Sequence, residues 1–134
     1  MAKFPTSEWT QTFMEKLNRD EQYGQIAHKW EGDILFIIQP EGVLNNQVRL
    51  YFDLWHGKCR EAYLVSEEDA QKPAFVLKAP YENFKRILTG ELHPMQALMT
   101  RKLSVQGNMA TLMRSVPTVL DFVRCAREIT DDFV

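Results

Sequence analysis

Thirty residues, Pro80 to Met109, constrain this chain more than any other part of it. Pro80 opens a helix whose Tyr81, Phe84, Ile87 and Leu88 share one face. Gly90 stands where a helix stop belongs, because glycine enters the left-handed region without steric cost. Pro94 starts a second short helix, with Met95, Leu98 and Met99 expected to point inward. Leu103 and Val105 alternate with Lys102, Ser104 and Gln106, which is the period of a strand. Gly107 and Asn108 turn the chain. Asn108 is a good N-cap for a further helix carrying Met109, Leu112, Met113 and Val116. Helices, strand and turn packed this tightly need a larger apolar surface to lie on. Their apolar side chains are long and flexible, and no catalytic set accompanies them. Such a segment suits holding an apolar guest rather than performing chemistry.

The rest of the chain supplies that surface. Pro5, Thr6 and Ser7 open a first helix in which Trp9, Phe13 and Leu17 recur every four residues. Asn18 to Asp20 interrupt it, and a second helical stretch holds Tyr23, Ile26, Ala27 and Trp30. Ile34 to Ile38 is a continuous apolar run, the pattern of a strand covered on both faces. Val48, Leu50, Phe52 and Leu54 alternate with Arg49, Tyr51, Asp53 and Trp55. His56-Gly57-Lys58 reads as a hairpin turn into a strand over Cys59 to Val65. Glu67, Glu68 and Asp69 form an acidic loop, and Phe75, Leu77 and Ala79 a fourth strand. Pro117 breaks or restarts the last helical pattern, which continues through Val119, Leu120, Phe122, Val123, Ala126 and Ile129. Strands in a block followed by helices predict an α+β domain spanning residues 1–134. Its five-stranded sheet is mostly antiparallel and covered on one side by helices.

Bulk properties exclude several functions. The net charge of -2, with no Lys/Arg cluster, argues against nucleic acid, which requires a basic surface. Cys59 and Cys125 make neither a disulfide framework nor a zinc signature. His28, His56 and His93 lie at no metal-ligand spacing, and Glu67 to Asp69 lack the pattern of a calcium loop. We therefore expect no metal and no cofactor. The N-terminus lacks the apolar core of a secretory signal, and Ile34 to Ile38 falls far short of the ~18 residues of a membrane span. The C-terminus is not a peroxisomal address. A reducing, cytoplasmic setting is the expectation.

The opening stretch resembles the sterol carrier protein family, the small α+β lipid-binding domain. The residues that carry the resemblance are Phe84, Leu88-Thr89-Gly90, Pro94, Ala97-Leu98-Met99-Thr100, Lys102-Leu103, Val105 and Gly107-Asn108-Met109. It is strong over about residues 75 to 116, and over 7 to 66 it rests on element order. The family pattern has Gly before Lys-Leu; here that position is Arg101, so the turn after Met99 is open to difference. The resemblance implies a hydrophobic tunnel between sheet and later helices. The tunnel would take fatty acids, acyl thioesters, sterols or phospholipids without converting them. Transient membrane contact and a homodimer are further expectations. In the family the C-terminal region tends to close over the tunnel; the break at Pro117 leads us to expect a mobile helix after it that gates access.

The lipid-binding set expected on this basis is Phe52, Phe84, Leu88, Met95, Leu98, Met99, Leu103, Val105, Met109, Leu112, Met113 and Val116. Four of the six methionines fall between positions 95 and 113, and methionine suits a pocket that remoulds around different tails. Plain core filling is the competing reading for each. Trp30 and Trp55 are candidates for the sheet side of the tunnel. A chain of ~14 methylenes would gain about 11 kcal/mol before immobilisation costs, so no charged anchor is required. For a carboxylate head, Arg101, Lys102 or the amides of Gly107 to Met109 are candidates, against a solvated surface. If Tyr51 and Trp55 lie on an exposed sheet face, they form an apolar patch suited to another subunit. Two other functions remain open. One is an accessory or dimerisation module presenting hydrophobic substrates to an enzyme of lipid metabolism. The other is a small acyl-thioester enzyme using His56 and Cys59, which lacks a visible orienting group.

Overall fold

The computed structural model describes residues 2–66 and 72–134; the acidic run Glu67 to Asp69 lies outside them. The chain begins with a two-residue strand β1 (Lys3–Phe4) and helix α1 (Ser7–Arg19). The Oγ1 of Thr6 caps α1 by accepting from the Trp9 amide at 3.1 Å. Asp20 ends α1 and caps α2 (Glu21–Ile26), its carboxylate accepting from the Tyr23 amide at 2.9 Å. One short polar side chain thus makes the break expected at Asn18 to Asp20, satisfying an N–H that the new helix would leave unpaired.

Strands β2 (Ile34–Gln39), β3 (Val48–Trp55), β4 (Lys58–Leu64) and β5 (Phe75–Pro80) follow. Helices α3 (Tyr81–Thr89) and α4 (Pro94–Met99) lead to β6 (Ser104–Gln106). The chain closes with α5 (Met109–Arg114), α6 (Val116–Ile129) and β7 (Asp132–Phe133). The five-stranded sheet runs β4-β3-β2-β5-β6. Only the central β2–β5 pair is parallel; the other three are antiparallel. The β3–β4 hairpin turns at His56 (φ 50°) and Gly57 (φ 82°), both left-handed as a tight hairpin turn requires. A Cβ on Gly57 would sit 2.6 Å from the Gly24 carbonyl oxygen, so its bare backbone lets the hairpin press against α2.

Alternation along the strands divides the side chains. Ile34, Ile38, Leu50, Phe52 and Leu54 face the helices and the main core. Leu35, Ile37, Tyr51 and Val65 form a small second core on the other face. This corrects the expected subunit patch: Tyr51 is only 7% exposed, and its hydroxyl donates to Asp33 at 2.8 Å. Trp55, 40% exposed, lies under the Arg60 guanidinium at 4.9 Å.

The helix after Pro117 packs into the core. Phe122, Cys125, Ala126 and Ile129 of α6 are buried. Phe122 meets the rings of Phe13 at 4.7 Å, Phe36 at 6.0 Å and Phe52 at 6.1 Å, joining α6 to α1 and the sheet. Beyond α6, β7 pairs in parallel with β1, an association of the two ends that the sequence pattern did not suggest. No helix among the described residues is long and apolar enough to cross a membrane.

Candidate functional site

An apolar cavity of about 100 Å³ lies between the helix-facing side of the sheet and the helices. Ile34, Phe36, Leu50, Leu54 and Leu77 line it from the strands. From the helices it is lined by Trp9, Phe13 and Tyr23 of α1 and α2, by Phe84, Leu88 and Leu98 of α3 and α4, and by Leu112, Val119, Phe122 and Val123 of α5 and α6. No charged side chain reaches it. The void is smaller than the expected tunnel; engineered cavities of about 150 Å³ admit only benzene-sized guests.

Of the expected lipid-binding set, Phe84, Leu88, Leu98, Leu103 and Leu112 line this cavity, as does Trp30. Phe52 is buried among Phe13 and Phe36 without reaching the void. Val105 packs half-buried against the core, while Met95 and Val116 are half-buried outside the lining. The other methionines point outward: Met99 is 75% exposed, Met109 41% and Met113 48%. The reason is helical phase. In α4, Pro94, Ala97 and Leu98 take the inner face at i, i+3 and i+4, which turns Met95 and Met99 onto the flank. Leu112 does the same to Met109 and Met113 in α5. The missed lining comes from aromatics of α1, α2, β2 and α6, whose periodicity marks a buried face but not a cavity behind it.

The turn after Met99 takes the left-handed backbone that a glycine there would permit, with Arg101 in its place. That residue adopts φ 61°, the left-handed conformation that a glycine would supply freely. Arg101 and Lys102 are exposed, and neither they nor Gly107 to Met109 line the cavity.

The thiol candidate is poorly placed for chemistry. Cys59 is buried, its Sγ donates to the Glu61 carbonyl at 3.4 Å, and burial pushes its pKa up to about 12. A thiol held protonated is a weak nucleophile. His56 Nε2 instead shares a 2.6 Å hydrogen bond with Glu31.

Asp20, Asp121 and Cys125 bring metal-ligand-type atoms within 4.8 Å of one another. Protein cations already occupy those carboxylates. Arg124 reaches Asp20 at 2.6 Å and Asp121 at 2.7 Å, and Lys16 reaches Asp20 at 2.9 Å. Hydrogen bonding from Arg124, then from Lys16, holds the Asp20 carboxyl well below the ordinary carboxylate range against the opposing effect of desolvation. The cluster is an ion-pair network that ties α6 to α1 and α2.

The fold and its apolar cavity agree with what sequence comparison finds: the model described as the SCP-2 sterol transfer family matches residues 12–119. The chain belongs to that family. As an SCP-2 family member it shares the fold of a crystal structure of sterol carrier protein 2, with a TM-score of 0.84 and 33% identity over 93% of this chain and 98% of that one. A conserved hypothetical protein from Thermus thermophilus, titled as a suspected sterol carrier protein, is 32% identical. Its TM-score is 0.85, over 97% of this chain and 92% of that one. The palmitated SCP2L2 of Aedes aegypti shares the fold at a TM-score of 0.52 and 15% identity, over 82% of this chain and 91% of that one. No curated protein matches the chain significantly by sequence. Family membership makes lipid binding and transfer the general function of this SCP-2 domain.

Proposed function

We propose that the protein carries one acyl-chain lipid at a time, its tail held in the cavity, without converting it chemically. The observation that supports this most is the lining: apolar walls from every helix around the void, with no charge among them. Tail burial is then driven by water exclusion, at about 0.8 kcal/mol for each methylene. A flexible chain also suits a small void better than a rigid sterol does. It enters stepwise as the walls yield, whereas fused rings require their full volume at once. The walls able to yield are the six-residue helices α4 and α5, not the anchored C-terminal half of α6. The palmitate named for the Aedes aegypti neighbour is in keeping with an acyl guest on this fold.

Native mass spectrometry of the purified protein, with extraction of whatever is bound, tests this. The expected result is a single acyl lipid per chain, or uptake of one hexadecanoic acid on addition. A protein that copurifies empty, refuses hexadecanoic acid and associates with an enzyme would overturn the carrier reading in favour of an accessory module.

A further inference from the structure

Nine large apolar side chains are exposed among the described residues, and four of them, Met99, Met109, Met113 and Leu120, belong to one stretch, Leu92 to Leu120. Leu98, Leu103 and Leu112 of the same stretch line the cavity. The methionines beside them therefore lie on the outer surface of the cavity wall, and β6, only three residues long, joins the two helices that carry them. An unbranched thioether side chain with three rotatable bonds suits a soft, variable surface better than a fixed socket.

The same stretch is biased in charge. It holds Arg101, Lys102 and Arg114 and no Asp or Glu, a charge of +3 with histidine neutral; the whole chain carries -2, which leaves -5 for the remainder. All three cations are exposed, and none makes an ion pair or a side-chain hydrogen bond among the described residues. The acidic side chains that border the stretch come with cations of their own. Glu31 lines a surface depression with Arg114, and Lys29 lines it too. Glu91 pairs with Arg86 at 3.6 Å. Glu82 and Lys85 both lie in α3, which reaches the stretch through the Asn83 amide, donating to the Lys102 carbonyl at 2.9 Å.

We propose that this face docks the protein on an anionic bilayer, the methionines entering the interface while Arg101, Lys102 and Arg114 meet lipid phosphates. The choice of occupant rests on the carrier reading, since a carried tail has to leave one bilayer and enter another. Exposed apolar side chains accompanied by basic ones are the pattern of a surface that lies on a membrane without crossing it. Each cation adds attraction to an anionic leaflet, and the attraction fades within a Debye length. A second copy of the chain fits less well, because a two-fold contact would set these cations against their own copies. Docking places the six-residue α4 and α5, the walls able to yield, against the source of the tail.

The test is co-sedimentation with vesicles of phosphatidylcholine alone and of an equal mixture with phosphatidylglycerol. The wild type is expected to bind the mixed vesicles at least about tenfold more tightly than the neutral ones, and to lose that preference in high salt. Lys102→Gln/Arg114→Gln should lose most of the preference. Met99→Ser/Met113→Ser should bind the mixed vesicles about tenfold more weakly, whereas Val43→Ser, at an apolar residue 68% exposed outside this stretch, should match the wild type. Urea midpoints measured alongside separate lost docking from lost folding. Equal binding of both vesicle types, binding to neither, or an equal loss in Val43→Ser overturns the docking face. So does a dimer in native mass spectrometry that Met99→Ser/Met113→Ser abolishes, which would make the face a subunit contact. Uptake of hexadecanoic acid by the wild type without vesicles separates the two readings. Uptake without vesicle binding overturns the docking alone; vesicle binding through this face without uptake supports the docking and overturns the carrier reading.

Discussion

Arg101 shows how one residue can depart from a pattern without breaking it. Its φ of 61° places an L-residue where Cβ crowds the carbonyl, a cost of roughly 1–2 kcal/mol. Glycine there removes the crowding but adds roughly 0.5–1 kcal/mol of unfolded-state entropy. Arg101→Gly should therefore raise stability by about 0.5–1 kcal/mol, read as a higher urea midpoint at unchanged slope. A lower midpoint would mean that the arginine side chain supports the turn. The departure itself was legible in the sequence; its outcome was not, because an expected glycine does not say whether its substitute will bear the strain. The methionines were misjudged for a different reason. A helix of six residues makes fewer than two turns, so its apolar residues fit several phases equally well. Leu98 and Met99 are both apolar, and packing alone decides which faces inward.

Elements with local signals were readable. Thr6, Asp20 and Asn108 each cap a helix through their own side chains, and Gly90 ends one at φ 90°. Pairings between distant segments were not. The β1–β7 pair is two residues long, too short for any period, and the parallel β2–β5 pair joins strands that two others separate in the chain. The partners of α6 were not legible either, because amphipathicity gives a helix an inner face without naming what lies against it. Its attachment makes a pH dependence. The Asp20 carboxyl is depressed in the fold, chiefly by Arg124, so the ion pairs add stability above the ordinary carboxylate value of 3.8. That stability is lost as pH falls through the folded value. Between pH 6 and pH 3 the urea midpoint should drop further for the wild type than for Asp20→Asn, whose side chain still caps α2. Equal drops would show that Asp20 charge does not anchor α6.

At the scale of the molecule, the sheet lines an apolar void from one side and the helices, α4, α5 and α6 among them, line it from the other. The sequence resemblance led to the right fold. It could not give the size of the void, which depends on how side chains from many separated elements meet. The central claim is that this void, and not the outer methionine surface, receives the tail. Displacement of a fluorescent fatty acid by hexadecanoic acid, measured on Leu98→Trp and Met99→Trp, tests it most directly. The two positions are adjacent in α4, one lining the cavity and one 75% exposed. Leu98→Trp should fill the void and weaken binding about tenfold or more, with Met99→Trp close to wild type. Unchanged binding by Leu98→Trp, or an equal loss in Met99→Trp, would contradict the account.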